Sequence, residues 1–519
     1  MAKEIWVDSA AVLFDNTTFT YTAGSANTLT PGDTIISRKE LYYWRVAASN
    51  ASNHHAKTAG GIKLFVDAMV VQPEMFGKVG TANLDTIAIL AAIALNRDVT
   101  FPGALYRTTK SIPLSEQRIK GLAKNSARGQ VVIQPQGNFP CFVNRSDYWC
   151  SFEVDGFLID YGSAAPTIKT GNDLKIGFKF NNSPIPGSTA LGWPEQFRIG
   201  NCVVRGAWCA FYDESGSYMS VLERVEARSC KIGFFKAGGT TMSFINCFAR
   251  GDGVSSEMGF FIREVVAPSF IACAADGLKP AANAFAGSAN IFEGCQAVTI
   301  NGWDAEDNQI GLSGSYMRFV SGTATVKGFV GLGNKLLFTA PGEIFFILND
   351  ACQLEFSGRS SSNPSDLKVV GGGAVSTTFL TINGGQTLLN SSIIFAAEGG
   401  PAVSTWATRG GTGGRTTLLN TKISGGSVNA TEQLLTQSDV AALPLGAVGS
   451  VGLFLNASTA LITEGMVVPG SSLIWAASSG SFVGVDSPSG SWMCLGTCQA
   501  NEAVATIQAQ CTSLFKRIL

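Results

Sequence analysis

Three arginines, Arg205, Arg228 and Arg250, recur at a spacing in the low twenties, with Glu226, Asp252, Glu257 and Asp276 distributed among them. A guanidinium presents a planar fork of donors that matches a sugar carboxylate or a phosphate. Two carboxylates roughly 5 Å apart, or about 6.5–9.5 Å apart, can cleave a glycosidic bond with retention or inversion. Recognition of an anionic group and carboxylate-assisted hydrolysis are therefore the chemistries these residue types could perform. Trp303 heads an acidic cluster, Trp303-Asp304-Ala305-Glu306-Asp307, and is read as a ring on which a sugar stacks. Asp213-Glu214 and the acids beside Trp303 are alternative carboxylates.

Other chemistries fit less well. The only two histidines, His54 and His55, sit in a polar N-terminal loop, which leaves no base for a Ser-His-Asp hydrolase elsewhere. There is no G-x-S-x-G elbow, P-loop or H-E-x-x-H. An Asp-rich calcium loop of the kind a cation-assisted lyase would use is also missing. Cys494, Cys498 and Cys511 have no histidine near them and read as structural thiols, so neither a metal site nor a cofactor is expected.

These side chains need a scaffold that lines them up. Four-residue windows supply it: Ile199-Gly200-Asn201-Cys202, Leu222-Glu223-Arg224-Val225, Phe244-Ile245-Asn246-Cys247, Phe270-Ile271-Ala272-Cys273 and Phe292-Glu293-Gly294-Cys295. Small apolar residues follow two positions later, at Val204, Ala227, Ala249, Ala275 and Ala297. A second recurring element reads Ala210-Phe211-Tyr212, Gly233-Phe234-Phe235, Gly259-Phe260-Phe261 and Ala284-Phe285-Ala286. A period in the low twenties, built of short strands without helical patterning, predicts a parallel β-helix. Phe152 to Asp160 and Ile176 to Phe180 supply an additional coil. Stacked coils would place Cys202, Val225, Cys247, Cys273 and Cys295 in one internal file. Strand alternation then puts Val203, Glu226, Phe248, Ala274 and Gln296 outside, with Arg205, Arg228, Arg250, Asp276 and Val298 beside them.

Around this core the chain divides into four parts. Residues 1–68 carry short β-prone runs (Ile5 to Val7, Thr18 to Thr22, Thr34 to Ser37, Tyr42 to Val46, Ile62 to Val66) between turns, a small β module. Residues 69–310 hold a helix capped by Asp85, with Ile87, Leu90, Ala91 and Ala94 as its apolar face, followed by the β-helix that it covers. Residues 311–440 stay β-like but lose the period, and residues 441–519 read as a separate β tip. Composition agrees with an all-β chain: 45% apolar, 14% charged and 59 glycines. A net charge of −1 gives no field that would draw the protein to nucleic acid or an anionic membrane. No window approaches the roughly 18 apolar residues of a membrane span. The segment Met1 to Trp6 lacks the apolar core of a signal peptide, so synthesis in a cytosol is expected.

Residues 76–106 resemble the entry to the pectate-lyase-like, right-handed parallel β-helix of bacteriophage tailspikes. The matching residues are Phe76-Gly77-Lys78-Val79-Gly80, Asp85-Thr86, Ala91-Ala92-Ile93-Ala94, Val99-Thr100-Phe101-Pro102-Gly103 and Tyr106. Thr81-Ala82-Asn83 stands where that family has an acidic cluster. Tyr42 to Val46 and Thr58 to Leu64 are similar to the adaptor that precedes such helices, and Leu445 to Ser450 and Gly490 to Gly496 to the tips of phage tail fibres. The resemblance implies an elongated homotrimer, held to virion tail or baseplate proteins by its N-terminal region. It further implies binding, and often cleavage, of capsular or lipopolysaccharide chains. Three readings follow: a depolymerase, a purely adhesive receptor-binding protein, and a bacterial polysaccharide-degrading enzyme. The adaptor-like N-terminus weighs against the third.

Overall fold

The computed structural model describes residues 2–122, 130–144, 150–162, 175–181, 194–280 and 287–332, with shorter pieces between and after them as far as 517. It divides into two units, residues 1–432 and 433–519.

The first unit opens with a five-stranded sheet formed by Glu4–Val7, Thr34–Ser37, Tyr43–Val46, Lys63–Val66 and Ala56–Lys57, in that spatial order. A short helix, Ala10–Asp15, packs on it and buries Leu13 and Phe14. Thr18 to Thr22, expected as a strand, contributes a single bridge, Thr20 to Thr28. His55 accepts a hydrogen bond from the Val66 amide at 3.0 Å.

The helix Ala82–Ala94 follows and covers the first coil of a solenoid. Its buried residues are Asp85, Thr86, Ala88, Ile89, Ala92 and Ile93, whereas Ile87 is 63% exposed. The apolar face is thus turned from the expected Ile87, Leu90, Ala91 and Ala94. The helix is rich in Ala, Leu and Ile on every side, so its spacing alone selects no stripe. Asp85 lies in the first turn, with Thr81 as the N-cap, and accepts hydrogen bonds from the Gly80 and Arg107 amides. It thereby ties the helix to the first coil.

The coils from Asp98 to Arg263 contribute three short strands each, which define three layers; from Ser269–Asp276 on, one longer strand serves the first two layers. Arg198–Gly200, Val203–Arg205 and Cys209–Asp213 make one such set. All pairing from coil to coil is parallel, and the third layer stacks eleven strands from Ile112–Leu114 to Thr405–Arg409. The fold is therefore an all-β parallel solenoid. Inner faces align like with like: Phe178, Phe211, Phe234 and Phe260 are in register, and so are Phe244 and Phe270. Rings of Phe234 and Phe260 stack at 4.6 Å, and those of Phe244 and Phe270 at 4.7 Å. Offset aromatic stacking adds to the burial term.

Between the first two layers the chain turns a corner at Asn201, Arg224, Asn246 and Ala272, all at φ near +50°. That conformation costs most residues energy, and asparagine tolerates it best after glycine. The corner amides keep their partners, because Asn201, Arg224 and Asn246 donate to the next coil at 2.8–2.9 Å. Elsewhere, Gly322 lies at φ +90°, and an added Cβ would meet the Cys295 carbonyl oxygen at 1.7 Å. Gly322→Ala is expected to cost at least about 1–3 kcal/mol, read as a lowered thermal midpoint.

The internal file holds for Cys202, Val225, Cys247 and Cys273, each at most 1% exposed. Cys295 leaves it. Phe270 pairs with Ile300 and Cys273 with Trp303, while Phe292 pairs with Ile262 in the third layer. The coil after Phe270 is thirty residues long, and the Phe292–Cys295 window matches the earlier ones in sequence but not in space. Gln296, Ala297 and Val298 therefore do not continue the outward and inward files; Asp304, Ala305 and Glu306 do. Ala284-Phe285-Ala286 lies outside the described residues, and Asn290 takes the position after Phe260. Parallel pairing also continues past residue 310, through Ser315–Val320 and Thr323–Leu332 to Arg415–Leu419 and Lys422–Ser424. The later coils are longer, which hides them from a search for a period in the low twenties.

The second unit contributes a five-stranded antiparallel-paired sheet: Val451–Asn456, Val467–Pro469, Leu473–Trp475, Ser491–Cys494 and Thr512–Arg517. Cys498 and Cys511 lie outside the described residues, as does the environment of the Cys494 side chain.

Candidate functional site

The outer face of the second layer carries two files set by the strand pleat. One runs Leu158, Val203, Glu226, Phe248, Ala274 and Asp304; the other runs Asp160, Arg205, Arg228, Arg250 and Asp276. Glu306 follows Asp276, because its amide donates to Asp276 Oδ1 at 2.9 Å and its carbonyl accepts from Gly277. Neighbouring members of a file stand about 4.8 Å apart, the spacing of paired strands. The arginine ladder expected from the sequence is therefore present, and it runs into acids.

The ladder resolves its own repulsion unevenly. Arg205 donates to Asp160 at 3.0 Å, and Arg228 donates to Glu226 at 2.8 and 2.5 Å. Arg250 is exposed, and no carboxylate among the described residues pairs with it. Phe248, half-buried, lies between Glu226 and Ala274 in the adjacent file. Together these present an apolar ring and an available guanidinium side by side.

Beyond Arg250 the charge reverses. Asp276 sits near Asp304, Glu306 and Asp307, and all but the exposed Asp307 are half-buried. Burial, reinforced by those three carboxylates, raises the Asp276 carboxyl to about 7 against the pull of the Glu306 amide. Burial likewise raises Asp304 and Glu306, with Asp304 and Asp307 adding repulsion at Glu306. A carboxyl that retains its proton near neutral pH beside other carboxylates is the arrangement that general-acid hydrolysis of a glycoside requires.

On the first coils of the same face lies a groove of about 470 Å³, lined by Gln130, Asp155, Asn201, Val203, Arg224 and Glu226 among others. Asn201 donates to Asp155 at 2.6 Å and accepts from Arg224 at 2.7 Å, and Arg224 also meets Glu223 at 2.9 Å. The corner geometry at Asn201 and Arg224 aims both side chains outward. Their amide, guanidinium and carboxylate groups match the alternating donors and acceptors of sugar hydroxyls.

Other expected site residues are engaged within the protein. Asp252 caps its own loop, accepting from the amides of Val254, Ser255 and Ser256 and from the Ser255 hydroxyl. Burial opposes its ionisation, but these donors outweigh burial and hold the carboxyl at about 2. Asp252→Ala is expected to cost about 1–2 kcal/mol and to leave carbohydrate chemistry intact, measured by thermal unfolding and a cleavage assay. Glu257 pairs with Lys231 at 3.1 Å, where the loop after Phe248–Arg250 enters the third layer. Trp303 is 2% exposed and donates from its indole nitrogen to the Tyr316 hydroxyl at 2.7 Å, so it fills the core and presents no face to a sugar. It occupies the inward position after Cys273, which the longer coil conceals in the sequence. Asp213 is fully buried and paired with Lys236. Among the described residues, no group of three His, Cys, Asp or Glu is arranged to hold a metal ion.

Phe248 faces outward, as strand alternation in the sequence implies. The register that stacks Asp304 and Glu306 beside Asp276 depends on the thirty-residue coil, which the period in the low twenties conceals.

No family model matches the chain, and no curated protein does. Solved structures do. The tailspike gp42 of Acinetobacter phage vb_AbaP_AS12 superposes with a TM-score of 0.51 at 14% identity, covering 99% of this chain and 94% of that one. The enzymatically active domain of tailspike protein 2 of bacteriophage CBA120 gives 0.52 at 13% identity, covering 94% and 69%. At these identities the likeness concerns the fold: this chain shares the parallel β-helix of phage tailspikes.

Proposed function

We propose that this chain is a phage tailspike that attaches the virion to a bacterial surface polysaccharide, capsule or O-antigen, and cleaves it by endo-glycosidic hydrolysis. The observation that carries the reading is the convergence of Asp276, Asp304 and Glu306 on one outward face, next to the available Arg250. Groove, aromatic ring, guanidinium and acids follow one another over several coils, a length suited to a polymer more than to a single sugar. In this reading Asp276 is the general acid, and Asp304 or Glu306 is the carboxylate that activates water or attacks the sugar. Arg250 and Phe248 orient the chain, and Glu226, Arg205 and Arg228 line its path. The N-terminal sheet serves as the virion adaptor, the later coils as the stem, and the protein acts as a homotrimer.

The paired states of Asp252, Glu257 and Glu226 favour a second reading, an adhesive spike without turnover. Incubation with purified polysaccharides from a strain panel, followed by size-exclusion chromatography, separates the two. Shortened chains support hydrolysis. Binding without shortening across the panel supports adhesion, and absence of binding overturns both.

A further inference from the structure

The third layer carries an outward file that the carboxylate face does not explain. Lys179, Tyr212, Phe235 and Phe261 follow one another in register on consecutive coils, and Ile291 comes next. All four leading side chains are half-buried. Tyr212 and Phe235 stack at 4.7 Å with 16° between their planes, and Phe235 meets Phe261 edge-on at 5.2 Å. Buried Ile176, Trp208, Cys209, Ile232 and Met258 pack alongside and hold the rings in place. The sequence shows these residues only as second members of the Phe-Tyr and Phe-Phe pairs; the pleat sends the first member in and the second out.

We infer that this file is a second carbohydrate track, and that the sugar chain it takes is acidic. The inference rests on the reading that the protein binds a polysaccharide. Ring faces carry the negative part of an aromatic quadrupole, which attracts the C–H faces of pyranose rings. The rings form a line one coil wide rather than a broad patch, which fits a linear polymer. Lys179 stands at one end without a carboxylate partner among the described residues, so a negatively charged sugar supplies the complement. Arg318 lies beyond Ile291 at the other end, already joined to Asp350 at 2.7 Å. Lys179 is thus the cation that selects charge.

The test uses the full-length protein and a panel of purified uronate-bearing capsular polysaccharides, each also in carboxyl-reduced form, with affinity measured by calorimetry. Phe235→Ala with Phe261→Ala is expected to weaken binding of both forms at least tenfold. Lys179→Glu, a surface change that leaves the fold intact, is expected to weaken the acidic form at least fivefold and the reduced form hardly at all. If the parent binds and both variants bind equally well, the second track is wrong and the proposed function stands. If the parent binds none of the acidic forms, the acidic track is wrong, and the proposed function is decided separately by the strain panel of purified polysaccharides. A changed sedimentation coefficient in the double variant, with unaltered affinity, would assign the file to contact between copies of the chain and overturn the inference.

Discussion

Asp276→Asn is expected to reduce polysaccharide cleavage by a factor of about 10²–10⁴, the usual contribution of a positioned general acid, while affinity for the polymer stays near the parent value. The substitution is close to isosteric and keeps an acceptor for the Glu306 amide. It removes the one carboxyl held at about 7 by burial and by Asp304, Glu306 and Asp307. Parent activity should accordingly fall as pH rises through about 7, when Asp276 loses the proton that the leaving oxygen needs. A second readout does not involve catalysis. The folded carboxyl titrates above the roughly 3.9 of an unfolded aspartate. Between about pH 4 and 7 the native state therefore holds a proton that the unfolded state has released, and stability declines as pH rises across that window. Asn has no such proton, so the variant should show a flatter profile and gain thermal midpoint above pH 7. Full activity in the variant would exclude Asp276 as the acid.

Lys236→Met is expected to be the most damaging single substitution for the fold, costing about 3–5 kcal/mol. Lys236 and Asp213 are both 0% exposed and stand 3.1 Å apart, in register on adjacent coils within the solenoid core. Burial lowers the Lys236 ammonium pKa and Asp213 opposes that shift. Asp213 also accepts from the Ser215 amide and hydroxyl and from the Ser217 hydroxyl. Removing the lysine leaves those serine donors around a carboxylate with no countercharge. Asp213→Leu combined with Lys236→Met should recover much of the loss, since their neighbours in the same file are Phe180 and Ile262. Thermal unfolding and proteolysis of the three variants provide the measurement. A single variant as stable as the parent would mean that the pair contributes nothing.

Both predictions draw on features that the sequence discloses unevenly. The solenoid is legible because a coil in the low twenties repeats its core residues: Cys202, Val225 and Cys247 sit under one another in space as they do in text. Legibility fails at Phe270, where the next coil is longer and a chance match at Phe292 to Cys295 diverts the alignment. From that single slip follow the misplaced Trp303 and the unforeseen register of Asp304 and Glu306 beside Asp276. The loop bonds of Asp252 are hidden for a different reason. A loop carboxylate looks the same in sequence whether it faces a ligand or bonds its own backbone, and only the amides of Val254, Ser255 and Ser256 decide. Similarly, Asp213 reads as a surface acid until its strand parity places it beside Phe211 and Phe234.

Coil-to-coil parallel pairing also bears on how the chain is built. Every strand of the solenoid finds its partner only one turn away along the polypeptide, so contact order is low for a protein made almost wholly of β-structure. The helix Ala82–Ala94, lying against the first turn, offers a starting template while later segments are still on the ribosome. Each new turn can then add to the last without waiting for the C-terminus.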